Sequence, residues 1–338
     1  MGRRGSCAAR RVGLFALFLC ASLPVWAASA GVAASRSSEI DSYRPKLDYR
    51  VDGYRPKPVR PELLPGYQNY AISLNDPKGH PVNAQGVALF RYKGRWVYHP
   101  LVIARYGISL LHGYRITQDP AYLERAEVNA QFLLRSGVVR DGAKYFPYRF
   151  VYPLFGNHSD LMRPPWYSAL AQGTVLALFV RLQATTGDQR WRGPADAAFA
   201  TFLKRRVLKR PWTVFVQRWK HRPYLWFEEY PKKPPTQALN GHIYALFGVY
   251  EYARATRSST AMNVFDGGAT TVRHEVERFR ARGGGISYYS LRVRAQYASY
   301  HCIHIGMLKV LAQMTRDSWF SREAGRFAAD APRASTGC

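Results

Sequence analysis

Acidic residues are few. Asp and Glu total 22 against 49 Lys and Arg, a formal charge of +27 at pH 7. So basic a chain implies an anionic partner: nucleic acid, anionic lipid or an acidic polysaccharide. Cysteine is scarcer still. Of the four present, Cys7 and Cys20 lie near the N-terminus, leaving Cys302 and Cys338. Two cysteines build no disulfide framework. They could pair in an oxidising compartment, but residues 329–338 read as a disordered tail. No apolar run is long enough for a confident membrane span; VGLFALFLCASLPVW is short and interrupted by Pro24. Zinc-finger spacing, an RNP-type stretch and a helix-turn-helix signature are all missing, which argues against nucleic acid as partner. Gly283–Gly285 form a flexible turn that no phosphate-binding helix pattern follows, so no nucleotide loop is expected.

What is present is a folded, exported protein. Hydrophobic residues make up 47% and aromatics 14% of 338 residues, enough for a sizeable core. MGRRGSCAARR is basic, the next stretch is apolar, and AASA is small. That order reads as a secretory signal over residues 1–30, with cleavage after Ala27 or Ala30 and an uncleaved signal anchor as the alternative. Its removal takes four arginines and no acids, +27 − 4 = +23. An exported cation of this size meets a polyanionic glycan more readily than a genome. The expected localisation is therefore periplasmic or secreted.

Residues 31–65 are Pro-rich, with YRPK at Tyr43–Lys46 and again at Tyr54–Lys57, and read as an extended arm or linker. Residues 66–98 suggest a few short strands or a hairpin. Residues 99–328 are helical. Apolar helices are expected at 99–116, 166–187, 240–256 and 299–315, each followed by a more polar one. Asp119-Pro120 is a good helix start, and Gly187 a good stop. A helix apolar on nearly all sides is buried. The fold class is therefore mainly α: an (α/α) toroid of about four hairpins behind a small β-hairpin region.

The loops ahead of the inner helices are unusual: RPPWYS (163–168), WFEEYPKKPPTQALNG (226–241) and GGGISYYSLRVRAQYASYHCIH (283–304). In a toroid they converge on one rim, bringing Tyr, Arg, Glu and His together as acid–base chemistry on an anionic substrate requires. A Glu among aromatics has its pKa raised by desolvation. An Arg can neutralise a carboxylate and so acidify the adjacent C–H. Such a site could remove and return a proton at uronate C5, giving an epimer, or lose the 4-substituent as a lyase does. Glu228 and Glu229 also suit a glycosidase pair, and Glu228 a structural salt bridge. His301 and His304 fit substrate contact or a hydrogen-bonded role better than a metal site, so no metal is expected.

RPPWYSALAQG, WFEEYP with LNGHIY, YYSLR and YHCIHI together resemble the C-terminal catalytic domain of the D-glucuronyl C5-epimerase family, over roughly residues 65–328. The resemblance implies an (α/α) barrel and conversion of D-glucuronate to L-iduronate in a heparosan- or heparan-like polymer, with no cofactor. Residue by residue it implies Glu229, Tyr230, Tyr289, Tyr300 and Arg292 as catalytic, with Glu229 and Tyr300 across C5 and Arg292 on the carboxylate. Val293 departs from the His expected after that arginine. Arg163, Trp166, Tyr167, Gln172, Asn240, Arg294, His301 and His304 are expected substrate contacts. The partner is then an anionic polysaccharide, with a homodimer allowed. The alternatives are a uronate polysaccharide lyase and a non-catalytic polyanion-binding protein.

Overall fold

A computed structural model describes residues 47–60, 63–64, 74, 81–207, 211–281, 283–335 and 338. The leader and the first YRPK lie outside them, as does most of 66–80. Four helical hairpins make up the body: α1 (Pro100–Thr117) with α2 (Pro120–Ser136), α3 (Ala169–Thr186) with α4 (Arg192–Phe199), α5 (Leu239–Thr256) with α6 (Ser259–Glu275), and α7 (Ala298–Thr315) with α8 (Ser318–Asp330). The first helices of the pairs pack in chain order, α1 on α3, α3 on α5 and α5 on α7. The architecture is an (α/α) toroid.

One local device makes all four hairpins. Each inner helix ends on a threonine: Thr117, Thr186, Thr256 or Thr315. Its hydroxyl donates to the carbonyl four residues back at 2.7–2.9 Å. The same oxygen accepts from the amide two residues on at 3.1–3.2 Å. The residue between, Gln118, Gly187, Arg257 or Arg316, is left-handed with φ of 56–70°. Next comes an N-cap, Asp119, Asp188, Ser258 or Asp317, accepting from its helix's first turn at 2.8–3.3 Å. One side chain thus satisfies a terminal carbonyl of one helix and prepares the start of the next.

Small residues set how closely the inner helices approach. A Cβ at Gly173 would stand 2.6 Å from the Ala245 Cα, and one at Gly248 would overlap the Gly173 carbonyl. Helices α3 and α5 therefore touch backbone to backbone. Between α4 and α5 the chain forms a hairpin that was not read from the sequence: β7 (Val214–Trp219) pairs antiparallel with β8 (Arg222–Phe227). His242 on α5 ties it down, accepting from the Phe227 amide at 3.0 Å and bonding the Gly268 carbonyl at 3.1 Å. The remaining strands are short pairs: β1 (Phe90–Tyr92) with β2 (Arg95–Val97), β3 (Val138–Arg140) with β4 (Ala143–Tyr145), and β5 (Tyr152–Pro153) with β6 (Leu161–Met162).

The arm is packed as a tether over 47–60: Asp266 accepts from the Asp52 and Gly53 amides, the Tyr54 hydroxyl donates to Asp317, and the Lys57 amide to the Met314 carbonyl. Two expectations change. The end of the chain is tied rather than disordered, because a 3₁₀ turn at Pro332–Ser335 follows α8 and Cys338 is disulfide-bonded to Cys302. The second helix of the α3 pair is broken, with 3₁₀ turns at Gln189–Trp191 and Ala200–Leu203 flanking a two-turn α4. Among the described residues no helix is long and apolar enough to cross a membrane.

The backbone contact predicts a steep cost for volume. Gly248→Ala should destabilise the protein by roughly 1–3 kcal/mol or more, read as a lowered urea midpoint, whereas Gly306→Ala, whose added Cβ meets nothing within 4 Å, should not destabilise it.

Candidate active site

The N-terminal ends of the inner helices, opposite the threonine turns, surround a cavity of about 330 Å³. Each contributes: Leu101 and Arg105 from α1, Leu170 from α3, Asn240 and Tyr244 from α5, Tyr300 and Ile303 from α7. Glu229 and Tyr230, from the turn after β8, complete the polar wall, and Tyr148, Phe150, Tyr152 and Trp166 an aromatic one. Trp166 is rigidly held. Its ring stacks on Tyr148 at 3.8 Å and its Nε1 donates to the Phe150 carbonyl at 2.9 Å.

The adjacent glutamates have different surroundings. The Glu228 carboxylate is fully buried. It accepts from the Thr236 hydroxyl at 2.5 Å and from the Tyr230 and Gln237 amides at 3.1–3.3 Å. Among the described residues no salt bridge reaches Glu228, where a structural one was the alternative; Glu228 caps the 228–237 turn from inside. That turn aims Glu229 at the cavity. Its Oε2 accepts from the Tyr289 hydroxyl at 2.8 Å, and Tyr289 meets the Tyr230 hydroxyl at 3.4 Å. The ring of Tyr300 stands edge-on to that of Tyr289 at 4.5 Å. Gly241, in the first turn of α5, leaves room for this carboxylate, since a Cβ there would sit 2.5 Å from Oε2.

Burial governs the protonation of the group. Desolvation lifts Glu229 to about 7, against the pull of hydrogen bonds from Tyr289, Tyr230 and Asn240 and of the Arg105 charge. Burial and the Glu229 charge push Tyr300 up to about 12. The same two causes hold Tyr230 and Tyr289 well above the ordinary phenol range. At neutral pH the phenols are proton donors, and Glu229 is the group poised to accept.

Among the described residues Arg105 is the only Lys or Arg lining the cavity. It donates to the Tyr244 hydroxyl at 3.2 Å and lies over that ring. The sequence reading missed it. The available signal was a single arginine in the otherwise apolar first turns of PLVIARYGISLL. Tyr148, Tyr152 and Tyr244 were missed too, being aromatics like the core around them.

Five expected site residues have other engagements. Arg292, expected on the substrate carboxylate, is ion-paired with Asp160 at 2.9 Å, and Asp160 also holds Lys232. Asp160 ends the loop between β5 and β6, whose Phe155 reaches Tyr230 and Tyr289 edge-on. Gln172 is internal, binding the Phe146 amide and the Lys144 carbonyl, and so joins β4 to α3. His301 and His304 are buried, and both bond Ser287. Arg294 lies over the ring of Tyr288. The cavity is not lined by any of the five. Arg163 and Tyr167 line a neighbouring trough, reached past Trp166.

An (α/α) toroid with a buried glutamate, six tyrosines and, among the described residues, one arginine at the open end of its inner helices belongs to a recognisable class of carbohydrate-handling fold. Residues 140–329 match the family described as D-glucuronyl C5-epimerase C-terminus, more than half of the 338 residues, and the chain belongs to that family. It is similar to a D-glucuronyl C5-epimerase of Caenorhabditis elegans, 24% identical over 186 residues, 49% of this chain and 29% of that protein. It is also similar to an uncharacterized protein of Methanocaldococcus jannaschii, 24% identical over 164 residues, 48% of this chain and 50% of that protein. The matches thus span half or less of those relatives. In structure it is similar to cellobiose 2-epimerase from Bacillus thermoamylovorans B4167, with a TM-score of 0.53 at 12% identity over 78% of this chain and 66% of that one, a likeness of fold.

The paired glutamates should respond oppositely to substitution. Burial raises Glu229 from an ordinary 4.5 to about 7. Its proton therefore favours the folded state, fully below about pH 4.5, and that contribution is lost as pH rises through about 7. At pH 8 Glu229→Gln, which removes a desolvated charge, should be neutral or stabilising. Glu228→Ala should cost at least about 2 kcal/mol by stranding two amides and a hydroxyl. Denaturant midpoints at pH 8 check both.

Proposed function

We propose that this protein epimerises D-glucuronate residues of an acidic polysaccharide at C5, giving L-iduronate. The observation that carries the reading is the cavity's proton inventory: a desolvated carboxylate at about 7 among protonated phenols, with Arg105 the sole arginine among the described residues.

The chemistry follows from that inventory. The substrate carboxylate lies against Arg105, which neutralises it and stabilises the enediolate that forms when C5 is deprotonated. Glu229, ionised, takes the C5 proton, and the C–H electron pair moves into the carboxylate. Tyr300 returns a proton to C5 from the opposite face, leaving a phenolate. Tyr289, bonded to Glu229 and in contact with the Tyr300 ring, holds both groups; Glu229 then loses its proton to solvent and the Tyr300 phenolate regains one. This reading transfers the carboxylate clamp from Arg292 to Arg105, because Arg292 is occupied by Asp160. Export is part of it: the basic, apolar and small-residue order of residues 1–30 has the form of a secretory signal, and a Cys302–Cys338 disulfide suits an oxidising compartment.

The test is proton NMR of heparosan incubated with the protein in D2O. Deuterium should enter at C5 with chain length intact and iduronate signals growing in. Unsaturated, shortened products would move the assignment to a lyase, and binding without exchange would remove catalysis. Glu229→Gln and Tyr300→Phe should each slow exchange by roughly 10²–10⁴-fold.

The pH profile tests the division of labour. Because Glu229 acts as the base, kcat/KM should rise with pH and level off above about 7. Arg105 lowers the Glu229 value, so Arg105→Ala should move that limb to higher pH as well as raising KM.

A further inference from the structure

Two buried histidines have no part in that chemistry. His301 follows Tyr300 directly on α7 and His304 comes about one turn later, yet neither lines the cavity. Both are fully buried. The Nε2 of His304 is enclosed without a hydrogen-bond partner among the described residues, and such a group costs stability. An apolar side chain would avoid that cost. Packing alone therefore leaves the imidazole unexplained, and its other nitrogen is where it is engaged. Desolvation holds His304 down at about 3 and His301 below the ordinary imidazole range, so both rings are neutral at neutral pH.

The engaged nitrogens meet at one residue. The Ser287 amide donates to His301 Nδ1 at 3.0 Å. The Ser287 hydroxyl lies 2.9 Å from that same nitrogen and 2.9 Å from His304 Nδ1. Ser287 thus joins the segment ahead of α7 to the helix itself. Tyr289 stands two residues further along that segment and is fixed from its other side as well. Its amide donates to the Ala295 carbonyl at 2.7 Å, and its carbonyl accepts from the Leu239 amide at the start of α5 at 3.1 Å. The Ser290 hydroxyl donates to the Thr236 carbonyl at 2.5 Å. Tyr289 is therefore strung between α7, which carries Tyr300, and the turn that carries Glu229. Its hydroxyl reaches Glu229 at 2.8 Å and its ring meets Tyr300 at 4.5 Å.

Building on the proposed function, we infer that Ser287, His301 and His304 are positioning residues: by joining the Tyr289 segment to α7 they set the reach of Tyr289 to Glu229 and Tyr300, and so the strength of its hydrogen bond to the base. None of the three touches the reacting atoms. They act through Tyr289.

The titration of Glu229 tests this without needing turnover. Its side-chain carboxyl is followed by 13C NMR in the full chain with carboxyl-labelled glutamate, the resonance being assigned by its loss in Glu229→Gln. Exchange at C5 of heparosan is measured alongside. The Tyr289 hydrogen bond pulls Glu229 down against desolvation, so weakening that bond moves the midpoint up. Tyr289→Phe should raise it by about one pH unit, the worth of one hydrogen bond to a charged group. Ser287→Ala should raise it by at least about half as much, lower kcat roughly tenfold and leave KM within about twofold. His304→Phe should behave like Ser287→Ala. His304→Asn keeps a hydrogen-bonding atom near the Nδ1 position and should restore the midpoint. In a Tyr289→Phe background Ser287→Ala should move nothing further.

An unmoved midpoint in Ser287→Ala or in Tyr289→Phe overturns the inference. So does a full extra shift in the double variant, or His304→Asn titrating like His304→Phe. Should His304→Phe not fold, Ser287→Ala, which removes a single oxygen, carries the test. The two ideas fail separately. A midpoint that moves as stated in a protein that never exchanges C5 discards the epimerase reading and keeps the positioning role. Exchange with an unmoved midpoint discards the positioning role alone.

Discussion

Burying a carboxylate costs several kcal/mol unless donors surround it, and this protein does so at two consecutive positions. Glu228 receives its donors from the turn that it closes, the amides of Tyr230 and Gln237 and the hydroxyl of Thr236. That turn is closed as a result, and Glu229 is held where Tyr289, Tyr230 and Asn240 hydrogen-bond to it and the Arg105 charge acts on it. A neighbour that never enters the cavity thus helps place Glu229, and burial there raises its proton affinity. Much else serves the same placement: His242 pins β8 to α5, and Gly241 admits the carboxylate against the helix.

The two ends of the toroid divide stability from chemistry. At the turn end every hairpin repeats the same threonine, left-handed residue and N-cap, and residues 52–57 pack across it. These bonds are local and satisfy helix ends without long-range help. At the other end the inner helices begin after segments with no such repeat. Freed from closing the hairpin, those segments carry the glutamates and the phenols. The disulfide from Cys302 fastens the chain end beside α7, two residues from Tyr300.

Charge follows the same economy. Most of the described basic residues are exposed, where their charge acts as a screened field. A few have individual tasks set by their neighbours. Arg292 and Lys232 converge on Asp160 and so hold the β5–β6 loop, with Phe155 against Tyr230 and Tyr289. Arg105 has no carboxylate at ion-pair distance among the described residues and lines the cavity.

What the sequence by itself determined was local. Helical periodicity, Asp119-Pro120 and Gly187 placed the hairpins to within a few residues, because caps and apolar faces are encoded within a turn or two. The repeated threonine turn was equally local and was overlooked only because three of its four spacer positions are not glycine. Rare words such as WFEEYP marked the family. Only the tertiary structure decided which side chains meet. Glu228 and Glu229 are chemically identical and adjacent; the turn that separates their tasks is closed by Thr236 and Gln237, eight and nine positions away. Arg292 and Arg105 are two arginines among many, and which one faces the cavity depends on Asp160, more than a hundred residues from the first. His301, His304 and Gln172 read as polar rim residues, yet each is turned inward by a partner on another element. Facing is a property of long-range packing, and no pattern confined to one segment contains it.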